Sequence, residues 1–287
     1  MNTEYLPEVL YKYKRLDSYT KRLLKYQEIY LPSVSQLNDP FEGSIPLTMY
    51  KVSLTEKNIL AKLYQLSKSK FPNLSENERR ICVRQCYEDE ENKKIFYKLD
   101  PPPGHTEKTR NNIENSFGIL SLTSNNNNYL MWSHYADSHN GICLGFDTKL
   151  LFKSIFRDDL ESANNFVSDL KQYYISDKGG IKKVIYQKEL PKFSLQEELL
   201  SFIQKTLYTK SHIWKYENEY RLLKIGVAQH KVKIPKECIL SITLGCSMKS
   251  DHKKDFIEII KKTLPKTIIY ETTIHKKKFQ LDIKQIY

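Results

Sequence analysis

The run Glu217-Asn218-Glu219-Tyr220-Arg221 sets two carboxylates and a guanidinium at alternate positions. On an extended strand alternate side chains emerge on one face. The alternation from His212 to Leu223 therefore predicts a strand that presents Glu217, Glu219 and Arg221 together, with Tyr216, Asn218, Tyr220 and Leu222 opposite. Burying three such charges is costly unless they pair or hold something polar. A solvated sheet face with an internal Arg–Glu pair satisfies the same pattern. A second stretch, Leu130-Met131-Trp132-Ser133-His134-Tyr135-Ala136, packs rings and hydroxyls into a short helix, where they suit stacking on, or hydrogen bonding to, a ring-bearing ligand. A lone histidine is more often structural than catalytic, which weighs on His134 as a base. A third, Leu37-Asn38-Asp39-Pro40-Phe41-Glu42-Gly43, has Asx residues before a proline and a closing glycine. Either it is a structural Asx turn or it carries carboxylates into a cleft.

The elements that must position these groups follow from periodicity. Val9 to Arg15 alternates as a first strand, with Leu10, Lys12 and Lys14 on one face and Tyr11, Tyr13 and Arg15 on the other. Asp17 offers an N-cap to a helix ending near Tyr26, and Glu28 to Val34 reads as a second strand, giving a βαβ-like opening. From Ser53 to about Lys98 the period turns helical through Ile59, Leu60, Leu63 and Leu66, and Ser75 with Glu78 resembles a capping box. Pro101 to Gly104 breaks that segment, and Thr106 to Glu114 begins another helix. Strands are expected at Phe117 to Ser124, Ile142 to Asp147, Lys183 to Gln187 and Cys238 to Leu244, with a loop at Asp177 to Gly180. Amphipathic helices are expected at Glu197 to Thr209 and at Asp251 to Lys262, the latter with Phe256, Ile259 and Ile260 inward. Two terminal strands follow, Thr267 to Tyr270 and Lys278 to Ile283. The fold class is α+β: a single domain over 1–287 with a mixed, mostly antiparallel sheet and a helical insertion at 52–115.

Composition bounds the partners. The 287 residues are 40% hydrophobic, enough for a substantial core, and 20 Tyr, 12 Phe and 2 Trp favour hydrogen-bonded, ligand-receptive clefts. With 46 Lys and Arg against 34 acidic residues, the formal charge of +12 favours polyanions such as nucleic acid or a nucleotide pyrophosphate. Cys82, Cys86, Cys143, Cys238 and Cys246 show neither zinc-finger spacing nor a disulfide framework, so a reducing cytoplasm is expected. No leader layout and no bilayer-length apolar run is visible, and a membrane partner is not expected.

Taken in order, the Leu10 to Arg15 strand, LNDPFEG at 37–43, FGILSLTSN at 117–125, LMWSHYA at 130–136, HNGICLGFD at 139–147 and YENEYRLL at 216–223 resemble a bacterial family known as domain of unknown function 2971. The resemblance covers most of the chain outside the helical insertion. It implies a divergent ADP-ribosyltransferase-like fold, a split sheet with NAD in its cleft, and a role in phage defence or as a toxin. Transferases of the Arg-Ser-Glu type carry an arginine on an early strand, a serine on a middle strand and Glu-x-Glu on a late one. Arg15, Ser121 and Glu217-Asn218-Glu219 keep that order, although the middle motif reads Ser-Leu-Thr rather than Ser-Thr-Ser, so Glu-x-Glu carries most of the weight.

Cleavage of the nicotinamide–ribose bond develops an oxocarbenium-like sugar, which a neighbouring carboxylate stabilises. Glu219 is assigned that role, and Glu217 orients the acceptor or takes its proton. Arg15 suits the pyrophosphate and Ser121 the floor of the site. Tyr135 or Trp132 would stack on nicotinamide, and Asn38, Asp39, Ser133, His134 and Arg221 complete the binding set. NAD is then a substrate and no metal is required. The acceptor, whether protein, RNA, DNA or water, is left open. Two other classes fit the residues: a metal-dependent nuclease with Asp39, Glu42, Glu217 and Glu219 on Mg²⁺, and a non-catalytic module that senses a nucleotide.

Overall fold

The computed structural model describes residues 6–43, 49–50, 55–92, 115–162, 174–175, 179–191, 193–194, 203 and 205–287. Its strands are β1 (Val9–Lys14), β2 (Glu28–Leu31), β3 (Met49–Tyr50), β4 (Phe117–Thr123) and β5 (Ile142–Asp147). There follow β6 (Tyr174–Ile175), β7 (Gly179–Lys183), β8 (Ile185–Gln187), β9 (Phe193–Ser194) and β10 (Thr209–Ser211). The last are β11 (Glu219–Ile225), β12 (His230–Lys233), β13 (Ile239–Leu244), β14 (Ile268–Ile274) and β15 (Leu281–Gln285). Nine of them form one sheet in the order β15-β14-β13-β5-β1-β4-β11-β7-β6. Its pairings are antiparallel except for β13 with β14. The expected α+β class with a mixed, mostly antiparallel sheet is what forms.

The sheet is hinged in the middle. β1 pairs with β5 along its whole length, and β4 pairs with β11 from Phe117 to Thr123, but β1 and β4 are bridged only at Tyr11 and Thr123 among the described residues. Continued pairing would set Tyr13 opposite Ser121. Instead the Lys12 ammonium reaches the Ser121 carbonyl at 2.9 Å, satisfying a group that a closed ladder would have paired.

Alternation divides the core by sheet face. On one face Leu10, Leu120, Leu122, Leu144, Phe146, Leu222, Ile242 and Ile269 are buried under the helices Ser18–Tyr26, Thr148–Ile155 and Ser250–Thr263, which contribute Leu23, Leu24, Leu151, Phe152, Phe256 and Ile260. Each fully buried aliphatic or aromatic side chain contributes about 1.5–3 kcal/mol. The opposite face holds two smaller clusters, Tyr13, Met131, Trp132, Ala136, Cys143 and Leu281 at one end, and Val34, Phe117, Ile119, Leu207, Tyr208 and Leu223 at the other. The polar residues of that face lie between them.

Several expectations are corrected. β2 pairs with β12 in a separate two-stranded sheet, so no βαβ unit opens the chain, and the segment from Val34 to Gln36 is a 3₁₀ turn. The Gly179-Gly180 pair belongs to β7 rather than to a loop; a side chain at Gly179, with φ of +120°, would meet the Leu223 carbonyl oxygen at 2.0 Å. Ile259 is half exposed because the inward stripe of its helix runs through Phe256 and Ile260. Helices span Glu56–Lys70 and Glu76–Glu88, the second entered through the Ser75–Glu78 capping box, with Ile59 and Val83 buried but Leu66 exposed. The expectations at Pro101 to Glu114 lie outside the described residues, as does most of the helix expected at Glu197 to Thr209.

Candidate functional site

The late charged run is not one strand. His212–Glu217 is a 3₁₀ helix, Asn218 adopts a left-handed backbone with φ of 44°, and β11 begins at Glu219. Asparagine tolerates that conformation better than other side-chain-bearing residues. Rings at Trp214 and Tyr216 disguise the turn as alternation. The glutamates still converge, because the Asn218 reversal aims both at the ammonium of Lys210 on β10. Lys210 Nζ donates to Glu217 Oε2 at 2.7 Å and Glu219 Oε2 at 3.1 Å, and lies 2.9 Å from Glu42 Oε1.

Arg221 completes the network. Its Nε and Nη2 donate to the two Glu219 oxygens at 2.8 and 3.0 Å, Nη1 donates to the Leu207 carbonyl at 2.6 Å, and Nη2 is 3.3 Å from Glu42 Oε1. Glu42, Glu217, Glu219, Lys210 and Arg221 are all buried. Three carboxylates against two cations leave one formal negative charge. Burial pushes the Glu219 carboxyl up, but the adjacent Arg221 and Lys210 charges and a hydrogen bond from Ser121 outweigh it and hold it at about 2. Burial opposes the charged form of Lys210, yet Glu219, Glu42 and Glu217 raise it above the ordinary lysine range. Glu217 differs: burial dominates and raises its carboxyl despite Lys210 and Tyr135.

This network floors a cleft of about 440 Å³ where the sheet parts. Tyr11, Lys12 and Tyr13 line it from β1, Arg15 from just past the end of β1, and Ser121 and Thr123 from β4; Tyr11, Thr123 and Glu219 share a face by register. The Tyr129–Tyr135 helix supplies His134 and Tyr135. Asn128 caps that helix by accepting from the Leu130 and Met131 amides, and its amide donates to the Tyr216 carbonyl at 2.7 Å, tying the helix to the 3₁₀ segment. Tyr135 Oη donates to Glu217 Oε1 at 2.6 Å and accepts from Asn38 Nδ2 at 3.2 Å. The Glu219 amide donates to Tyr186 Oη at 2.8 Å, and Thr123 Oγ1 donates to the Glu217 carbonyl at 2.5 Å. Apart from Arg221, which shares β11 with Glu219, the anchors of the glutamate pair come from other elements.

Of the residues singled out from sequence, Glu217, Glu219, Arg15, Asn38, Ser121, His134 and Tyr135 line this one cleft. Arg221 lies beneath its floor as the partner of Glu219. Two do not belong. Trp132 is fully buried, edge-on to Tyr13 at 5.2 Å with Nε1 donating to the Asn126 carbonyl, so its ring cannot reach a ligand. Ser133 is exposed, on the side of its helix away from the cleft lining. Asp39 holds its own turn, accepting from the Phe41 amide at 2.9 Å, and lines a neighbouring cavity of about 160 Å³ that shares Glu42 and Lys210 with the cleft. Sequence reasoning missed Lys210, Tyr186 and Lys12 as site residues; Lys210 carries no periodic signal, and alternation sets Lys12 with Leu10 and Lys14, opposite Tyr11, Tyr13 and Arg15.

A family model described as a protein of unknown function (DUF2971) matches residues 131–222, which include Tyr135, Tyr186, Lys210, Glu217, Glu219 and Arg221. Lys12, Arg15, Asn38 and Glu42 lie outside the matched segment. No curated protein and no solved structure matches the chain. Among the described residues no helix is long and apolar enough to cross a membrane, and no group of three His, Cys, Asp or Glu side chains is arranged to hold a metal ion.

Proposed function

We propose that the chain cleaves the nicotinamide–ribose bond of NAD and passes the ADP-ribose to an acceptor or to water, as an ADP-ribosyltransferase or NAD glycohydrolase-like effector. The observation that carries this reading is the floor of the cleft: a buried ion network with one formal negative charge, whose Glu219 carboxyl is held down to about 2, so that it is ionised at neutral pH, and is fixed by Arg221, Lys210 and Ser121. A preorganised anion in a partly desolvated site favours a ribosyl centre on which positive charge grows as nicotinamide departs. Glu217, held between Lys210 and Tyr135, would orient the acceptor. Arg15 is exposed at the cleft wall, where its fork suits a pyrophosphate, and Tyr135 and His134 offer rings at the mouth.

The nuclease reading asks Asp39, Glu42, Glu217 and Glu219 to share Mg²⁺. Three of these instead meet at the Lys210 ammonium, and Asp39 faces the adjoining cavity. Mass spectrometry of NAD and of total RNA, DNA and protein after expression tests the proposal. An added ADP-ribose mass, or conversion of NAD to ADP-ribose, is expected; unchanged NAD with cleaved nucleic acid would contradict it.

A further inference from the structure

Lys12 is a basic residue of the cleft that the floor network does not use, as is Arg15 at the wall. It is partly buried at the parting of β1 from β4, and among the described residues its Nζ makes one hydrogen bond, to the Ser121 carbonyl at 2.9 Å, and no ion pair. The cleft carboxylates are already committed: Glu219 to Arg221, Lys210 and Ser121, Glu217 to Lys210 and Tyr135, and Glu42 to Lys210 and Arg221. An amine held by a backbone carbonyl keeps its lone pair available when neutral, whereas each oxygen of Glu217 and Glu219 already accepts a hydrogen bond.

We propose that Lys12 is the proton-transfer group of this cleft, taking the proton of the nucleophile that displaces nicotinamide; this rests on the NAD reading given above. The step balances without a co-reactant. The nucleophile's heteroatom bonds to the ribose C1′, the C1′–nitrogen bond breaks with its electron pair going to the pyridinium nitrogen, and the released proton adds to Nζ. The resulting ammonium keeps its bond to the Ser121 carbonyl. Burial and the neighbouring Lys14 charge lower the Lys12 amine to about 7, against an opposing pull from Glu219. The other titratable groups lining the cleft are Tyr11, Tyr13, Arg15, Glu42, His134, Tyr135, Lys210, Glu217 and Glu219. A base poised near neutrality is the most effective kind at physiological pH.

Two measurements decide it. Wild-type protein treated at pH 7 with limiting formaldehyde and cyanoborohydride, then peptide-mapped, should show Lys12 alkylated about ten-fold faster than exposed lysines, with a rate that rises to half its maximum near pH 7. Alkylation no faster than at Lys276 to Lys278 would overturn the proposal. In the second, nicotinamide release by the wild type should rise through pH 7, while Lys12→Met and Lys12→Arg both lose that limb and about 10²-fold in rate. A variant that keeps the limb and the rate would overturn the proposal. Absence of nicotinamide release from the wild type overturns the NAD reading and this role with it, whereas the alkylation rate, which needs no NAD, independently decides whether Lys12 is a neutral amine.

Discussion

The chain carries two networks built from the same residue types and opposite in burial. On the helices Glu56–Lys70 and Glu76–Glu88, Arg84 reaches Glu56 across the pair and Glu88 on its own helix, and Arg80 meets Glu76 one turn away, with every partner at least half exposed. At the cleft floor, Arg221 and Lys210 meet three glutamates whose side chains are only 2–4% exposed. Exposed pairs gain little because water screens them and side-chain entropy opposes them. Buried pairs carry a desolvation cost that apolar residues would avoid, so a fold that keeps them does so for something other than stability alone. In this molecule the buried set lies where the sheet opens, and the exposed set lies on helices that contribute nothing to the cleft lining.

The largest effect expected from breaking this contrast is Arg221→Ala. It strands the Glu219 carboxylate without its fork and leaves the Leu207 carbonyl unpaired, so denaturant unfolding should register a loss of about 3–5 kcal/mol. Next is Glu219→Gln, which keeps shape and much of the hydrogen bonding but removes the anion. NAD cleavage should fall by about 10²-fold or more, with a smaller stability loss than for Arg221→Ala. Tyr135→Phe removes the hydrogen bond to Glu217 from a partly exposed position; about 1 kcal/mol of stability is expected to go, and transfer to an acceptor should weaken more than hydrolysis. At the small end, Arg84→Ala should leave the unfolding midpoint unchanged.

Two pH dependences sharpen the comparison. Glu219 is held at about 2, below its ordinary 4.5, so its contribution to stability is present above about pH 4.5 and is lost as pH falls toward 2. Lys12 has the opposite placement. Its folded value of about 7 lies below the ordinary 10.5, so the native state binds fewer protons than the unfolded chain in between, and stability should rise from pH 7 to 10.5. Lys12→Met should flatten that rise, as followed by denaturant midpoints across the range.

What the sequence disclosed, and what it hid, follows from which signals are local. Alternation in Phe117 to Ser124 separates Ser121 and Thr123 from Leu120 and Leu122, and β4 keeps that division, while the capping residues Asp17 and Ser75 mark real helix starts. The Glu217, Glu219 and Arg221 cluster was visible because its members are close in the chain. Their geometry was not, since a 3₁₀ turn and a left-handed Asn218 mimic period two over a few residues. Trp132 was misread because a ring's composition says nothing about which helix face meets the core. Lys210 and Lys12 owe their roles to tertiary events, convergence of three glutamates on one and the parting of two strands beside the other, and neither leaves a mark in local periodicity.

The anionic floor of this cleft is proposed to act on NAD. Its most direct test is nicotinamide release from NAD in the presence of EDTA, comparing wild type with Glu219→Gln. Release by the wild type and a loss of about 10²-fold or more in the variant are expected, with both proteins folded by circular dichroism. Release that is unaffected by Glu219→Gln, or activity that vanishes in EDTA and returns with Mg²⁺, would contradict it.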